Sequence, residues 1–225
     1  MARADVPRQL AFDLPARPSL TRGDFFVSSA NDDAVALIDT SADWPNGRLV
    51  LAGPEGSGKT HLANVWHSAT GAPILAAADL AGSDIPALGR HSALIIEAMD
   101  TLPQVGETPA FHLLNLMMSQ GGRLLMTARV PPSTWKIDLP DLASRVQASG
   151  VARLNEPDDA LLAQLLLKLF ADRQINPEPA LIQWLAARID RSFAAAEQAV
   201  DAIDTFALSE GQNVTRALAR KALNL

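Results

Sequence analysis

The sequence contains no cysteine and no tyrosine. It also lacks any uninterrupted apolar run of about eighteen residues, the length a membrane-spanning helix needs. Without cysteine there can be no disulfide, thiolate nucleophile or thiolate metal site, which fits a reducing compartment. The first residues, MARADVPRQLAFDLP, have no apolar core of the signal-peptide kind. A cytoplasmic protein with no membrane contact is therefore expected. Basic side chains are in deficit, 19 Lys and Arg against 25 Asp and Glu, for a net charge of −6. Such a balance supplies no clustered cations to displace DNA counterions, so direct specific DNA binding is not expected and protein partners are. The four histidines are scattered, with no metal-ligand spacing.

What is present is a chain of 225 residues, 48% hydrophobic, enough for a large domain with a smaller one attached. Three zones follow one another. Residues 1–22, with Pro7, Pro15 and Pro18, read as an extended tail. From residue 23 to 155, short apolar runs alternate with helical patterns: RLVLA (48–52), APILAA (72–77), SALIIE (92–97), RLLMTA (123–128) and GVARL (150–154). This alternation predicts an α/β domain with a five-stranded parallel sheet covered by helices on both faces, and a ligand site at the carboxyl ends of the strands. Residues 156–225 predict a small all-helical domain, with helices near 158–173, 178–188, 193–208 and 215–223. Asn155 or Asp158 could cap the first of these, and Pro177 and Pro179 start the second.

Between the first strand and a helical pattern lies GPEGSGKT. Gly53, Gly58, Lys59 and Thr60 match the phosphate-binding pattern G-x-x-x-x-G-K-[ST]. In such a loop the glycines let backbone amides wrap phosphates, Lys59 reaches their outer oxygens and the Thr60 hydroxyl holds Mg²⁺. The predicted nucleotide-binding stretch thus runs Gly53, Pro54, Glu55, Gly56, Ser57, Gly58, Lys59, Thr60 and His61. The alternative is a glycine-rich turn with no ligand, disfavoured by the rarity of the full pattern.

Nucleotide hydrolysis in such proteins needs acidic residues at a second strand end. In ALIIEAMD, Glu97 takes the magnesium position, while Ala98 stands where the water-activating carboxylate belongs. Losing a general base removes about 10² to 10⁴ in rate, so binding can persist while hydrolysis fades. Asp100 could substitute, but three residues further on it is expected to lie past the strand end. Thr127, closing RLLMT, could sense a terminal phosphate or orient water; the alternative is an exposed strand-end threonine. Arg145, in LPDLASRVQASG, precedes the last strand, where it could face a neighbouring molecule's nucleotide or simply lie in solvent.

The stretches DFFVSSANDDAVALID, GPEGSGKTHLAN, RLLMTARVPPSTW and LASRVQASGVARLNEPDD together resemble the AAA+ module of the replication initiator DnaA. The resemblance covers nearly the whole chain and ends with the lid helices, without that family's helix-turn-helix DNA-binding domain. It therefore implies one of the shorter DnaA-homologous regulators of replication initiation. It further implies a bound adenine nucleotide, ADP rather than ATP, with Mg²⁺ at Thr60 and Glu97. Arg145 would be an arginine finger supplied in trans to DnaA.

The tail carries QLAFDL, which resembles the hexapeptide by which many proteins dock on the DNA polymerase III sliding clamp. Gln9 would hydrogen-bond in a polar pocket while Leu10, Phe12 and Leu14 fill an apolar groove. Alternatively these apolar residues form a strand on the protein's own sheet edge, or insert into a second copy to give a homo-oligomer. The lid departs from the AAA+ pattern: Ala194 occupies the position of its phosphate-contacting arginine, with Arg191 almost one turn earlier and Arg188 before it. Three other functions remain open to the sequence. One is a P-loop ATPase or kinase in its own right, and another a clamp- or DnaA-binding adaptor with no catalytic part. The third, a loader binding single-stranded DNA, is disfavoured by the acidic balance and the absence of tyrosine.

Overall fold

A computed structural model describes residues 27–225, so the motif Gln9 to Leu14 lies outside the described residues. In chain order the elements are α1 (Asp32–Asp39), β1 (Arg48–Ala52), α2 (Lys59–Thr70), β2 (Ile74–Ala76), α3 (Ile85–Leu88), β3 (Ala93–Glu97), α4 (Glu107–Ser119), β4 (Arg123–Ala128), α5 (Pro140–Gln147) and β5 (Gly150–Arg153). Four helices follow: α6 (Asp159–Asp172), α7 (Pro179–Ala186), α8 (Phe193–Glu210) and α9 (Arg216–Ala222).

The strands form one five-stranded sheet in the order β2-β3-β4-β1-β5. Every pairing is parallel, with Leu49 of β1 opposite Leu125 of β4 and Gly150 of β5. Parallel neighbours require a crossover between them, and the helices supply it. Because strand side chains alternate, each face of the sheet builds its own core. Leu49, Leu51, Ile95 and Leu125 pack with Val35, Leu62 and Trp66 on the α1/α2 side. Val50, Ile96, Leu124 and Met126 pack with Leu113, Met117, Leu142 and Val146 on the α4/α5 side. All the strands point the same way, so the ends of β1, β3 and β4 open on one edge of the sheet.

Expected and observed strands coincide for 48–52 and 123–128, and differ elsewhere by one to three residues. β2 shrinks to three residues. Pro73 has no N–H to give a ladder, and Ala77 already begins a 3-10 turn. The helical domain forms around Leu166, Phe170, Trp184, Leu185, Val200 and Ile203. α8 runs to Glu210, two residues beyond expectation, until Gly211 turns left-handed at φ 61°. Pro179 opens α7, where its missing amide costs nothing.

Asp158 caps α6, its Oδ1 accepting from the Leu161 amide at 2.7 Å. The Asn155 amide instead donates to the carbonyl of Ala30. The Leu161 amide holds the Asp158 carboxyl below the usual carboxylate range. A lowered folded value means the cap stabilises the fold above the unfolded pKa and loses that contribution as pH falls through the folded one. Asp158→Ala should therefore lower stability by about 1 kcal/mol at neutral pH. In urea unfolding at a series of pH values, the difference from wild type should narrow below about pH 4.

Candidate functional site

The edge where β1, β3 and β4 end gathers most of the residues singled out in the sequence. The loop from Gly53 to Gly58 leaves β1 and enters α2 at Lys59, so α2 directs its free amide end at the loop. Gly56 and Gly58 have φ of 71° and 90°, the left-handed region where a Cβ is unfavourable. Turned this way, successive amides line a concave surface suited to an anion. Lys59 Nζ donates to the carbonyls of Gly53 at 2.8 Å and Pro54 at 2.6 Å, folding over the loop. Burial holds its ammonium below the usual lysine range, the Asp100 carboxylate acting against that and Arg129 with it.

Ser57 is buried in the loop, its hydroxyl without a partner. Thr60 and His61 follow Lys59 on the first turn of α2, Thr60 exposed and His61 partly so. Glu55 is exposed and pairs with Arg129 at 3.6 Å, a contact water screens to little value. At the end of β3, Glu97 is half-buried and its Oε1 is shielded from solvent without a partner. Thr127 is buried rather than exposed, its hydroxyl accepting from the Ala98 amide at 3.1 Å. The hydroxyl proton stays available to an acceptor in the site.

Asp100 departs from expectation. It lies past the strand end, as anticipated, but Ala98 turns left-handed (φ 56°) and brings it back beside Lys59. Asp100 Oδ2 accepts from the Arg129 amide at 3.1 Å. No sequence pattern marks a left-handed alanine, so the return was not legible.

The lid completes the site. The Phe193 amide, first in α8, donates to the carbonyl of Gly56 at 2.8 Å. A Cβ built on Gly56 would meet Ala194 Cβ at 3.3 Å, so Ala194 rests directly on the phosphate loop. Arg191 precedes the Ser192 cap of α8 and pairs with Asp159 at 2.8 Å. With Pro54, Leu154 and Asp158 it lines a cleft of about 510 Å³ between loop and lid. Arg188 stacks on Trp184 with its Cζ 4.9 Å from the ring centroid, away from that cleft.

Arg145 is not brought to this edge. It lies in the last turn of α5, before β5 begins, at the amino end of the sheet. A five-residue strand spans about 16 Å, and that is the separation the sheet imposes between Arg145 and the loop. Its guanidinium Cζ sits 5.4 Å from the Phe111 ring centroid, and Nη1 is 3.8 Å from Met118 Sδ. Beneath it, Arg48 is buried with Nε and Nη1 unpartnered. Burial, and then the like charge of Arg145, hold the Arg48 guanidinium below its usual range. Buried Glu107 fixes α5 against α4: its carboxylate accepts from the amides of Asp138 (3.0 Å) and Leu139 (2.7 Å).

The donor set fits a nucleotide with its cation. The amides of Gly56 to Lys59 would take phosphate oxygens, and Thr60 and Glu97 are the residues that would hold Mg²⁺. Unpartnered Glu97 Oε1 meets the preference of that cation for oxygen ligands. Among the described residues no group of three or more His, Asp or Glu could hold a metal by itself, so a cation here would need phosphate oxygens as well.

A parallel sheet of this order, a glycine-rich loop after β1 and a helical lid on that loop make up the AAA+ fold. No protein-family model matches the chain. By sequence it is similar to an uncharacterized protein of Haemophilus influenzae, 24% identical over 211 residues, 86% of this chain and 90% of that protein. It is also similar to the chromosomal replication initiator protein DnaA of Caulobacter vibrioides, 28% identical over 223 residues, 85% of this chain and 45% of that one. The chain thus spans about half the length of the DnaA relatives it matches. In fold it is similar to domain III of the Thermotoga maritima replication initiation protein DnaA (TM-score 0.80, 18% identity), covering 93% of this chain and 98% of that domain. AMPPCP-bound DnaA from Aquifex aeolicus aligns with a TM-score of 0.71 at 15% identity, over 86% of this chain and 68% of that one. In fold, then, the chain is an AAA+ α/β module similar to domain III of DnaA. Among the described residues no helix is long and apolar enough to cross a membrane.

A Cβ on Gly53 would lie 2.4 Å from the Leu154 carbonyl and 2.7 Å from Ser57 Oγ. Gly53→Ala should therefore push the loop off β5 and cost about 1–3 kcal/mol in thermal or urea unfolding, the scale of an overpacked site.

Proposed function

We propose that this protein is a negative regulator of chromosome replication initiation, of the Hda type, that stimulates ATP hydrolysis by DnaA. It would dock on the sliding clamp through Gln9, Leu10, Phe12 and Leu14 and present Arg145 to the nucleotide held by DnaA.

The observation that carries this reading is the placement of Arg145. Among the described residues no carboxylate pairs with it. It is separated by the length of the sheet from the chain's own phosphate loop, so it cannot serve a nucleotide there. The Phe111 ring supports one face of the guanidinium while leaving its edge donors for an anion, and Arg48 beneath it disfavours retreat into the core. Glu107 holds the α5 helix that aims it.

The chain's own nucleotide, read as ADP with Mg²⁺, has a structural part in this scheme. It would occupy the loop against which α8 rests and so fix the lid. Ala98, without a carboxylate, supports weak or absent hydrolysis at that site. Docking on the clamp would raise the local concentration of the regulator at replicating DNA, in the cytoplasm. The similarity to DnaA over most of this chain supports a partner of the same architecture.

Single-turnover hydrolysis of labelled ATP on DnaA, with clamp loaded on DNA, tests the proposal. Wild type should accelerate hydrolysis, and Arg145→Ala should lose most of an effect worth about 10³ to 10⁵. Gln9→Ala should keep the intrinsic effect at high protein concentration and lose the benefit of the clamp. If Arg145→Ala stimulates as wild type does, the protein is an adaptor and the finger assignment is wrong.

A further inference from the structure

Position 98 carries no acid, and the chain turns back directly after it. β3 ends at Glu97, and Ala98 takes up φ 56° and ψ 44°. For a residue with a Cβ this conformation costs about 1–2 kcal/mol and needs support. The Ala98 amide is held by the Thr127 hydroxyl at 3.1 Å, and its carbonyl receives the Thr101 amide at 2.9 Å and hydroxyl at 2.8 Å. Supported in this way, the turn returns Asp100 to the ends of β3 and β4.

Once there, Asp100 has one oxygen engaged and one not. Oδ2 accepts from the Arg129 amide at 3.1 Å, whereas Oδ1 is shielded from solvent and has no partner. Glu97 Oε1, three residues earlier, is in the same condition. Carboxylate oxygens removed from water without a donor are costly, and two of them beside one phosphate loop call for a shared cation. Lys59 is not that cation. Its ammonium donates to the Gly53 and Pro54 carbonyls, and no ion pair joins it to either acid among the described residues.

We propose that Asp100 is the second acid of the nucleotide site, acting with Glu97 on the divalent cation of a bound nucleotide. The chain would then bind adenine nucleotide as its magnesium complex despite Ala98. The proposal rests on reading the Gly53 to Thr60 loop as a nucleotide site. Asp100 is a positioning residue: it would hold waters of the cation in place, with no bond made or broken. Thr60, on the first turn of α2, completes the oxygen set from the other side.

The simpler role for Asp100 is to receive the Arg129 amide. Asp100→Asn separates the two, since an asparagine oxygen still accepts that hydrogen bond while the negative charge is gone. The experiment titrates the full chain with a fluorescent ADP, once in Mg²⁺ and once in EDTA. Wild type should bind more tightly in Mg²⁺. Asp100→Asn should cut that Mg²⁺-dependent gain by about 10-fold or more, the usual effect of losing a residue that orients a bound cation. Its affinity in EDTA should stay close to wild type. Glu97→Gln should lose the same gain. A gain unchanged in Asp100→Asn overturns the proposal and leaves Asp100 with Arg129 alone. A wild type that binds equally in Mg²⁺ and EDTA also overturns it, while the loop remains a nucleotide site. No nucleotide binding at all overturns both. The finger reading is scored separately, by hydrolysis on DnaA.

Discussion

The phosphate loop is held between two close approaches, the first of which leaves no space for a side chain. Gly53 lies against the Leu154 carbonyl where β5 ends, and Gly56 against Ala194 where the lid helix begins. The hydrogen bond from the Phe193 amide to the Gly56 carbonyl locks the second approach. Loop, sheet and lid therefore cannot shift independently. Ala194, the second residue of α8, is the side chain that meets the loop there. The lid touches the loop chiefly by main-chain contact. Arg191, one residue outside the cap, lies in the cleft instead, held by Asp159.

A parallel sheet also separates charge along its strands. Lys59, Glu97, Asp100 and Thr127 collect at the carboxyl edge, Arg48 and Arg145 at the amino edge. The first group surrounds the loop that leaves β1; the second is a half-buried guanidinium over a buried one. No rotation of side chains bridges about 16 Å of strand, so a group bound at one edge is out of reach of the side chains at the other. The division follows from topology, because α5 must return the chain to the amino edge before β5 can run parallel to β1.

How much of this could be read from the residues differs by element. Strands such as RLVLA were legible because burial on both faces demands an unbroken apolar run, and the loop because glycine takes up the φ of positions 56 and 58 at least cost. The edge strand β2 was overestimated, since an apolar stretch next to proline looks like a strand whether or not its amides find partners. Asp100 was misplaced because the turn depends on a left-handed alanine, stabilised by a threonine 29 residues away. Arg191 was equally hidden. Its place is set by where Ser192 caps α8, and a cap reads as a one-residue choice among several serines and aspartates. Glu107 gave no signal at all, since a glutamate opening a helix looks like an ordinary first-turn acid until the amides of residues 138 and 139 are found on it.

Under the proposed scheme, weak contacts are the appropriate ones. A finger supported by one aromatic ring and a flexible thioether makes a small interface, and its value appears in the transition state rather than in ground-state binding. Such a contact needs a tether to bring it to its target. A docking peptide of six residues joined to the domain by a short linker supplies effective concentrations of the millimolar order, provided the linker can span the sites. A strong independent affinity for DnaA would defeat this arrangement, because the regulator would then act whether or not a clamp was present. The half-buried setting of Arg145, with no carboxylate paired to it among the described residues, suits the opposite regime, in which position on DNA would decide when such a finger is used.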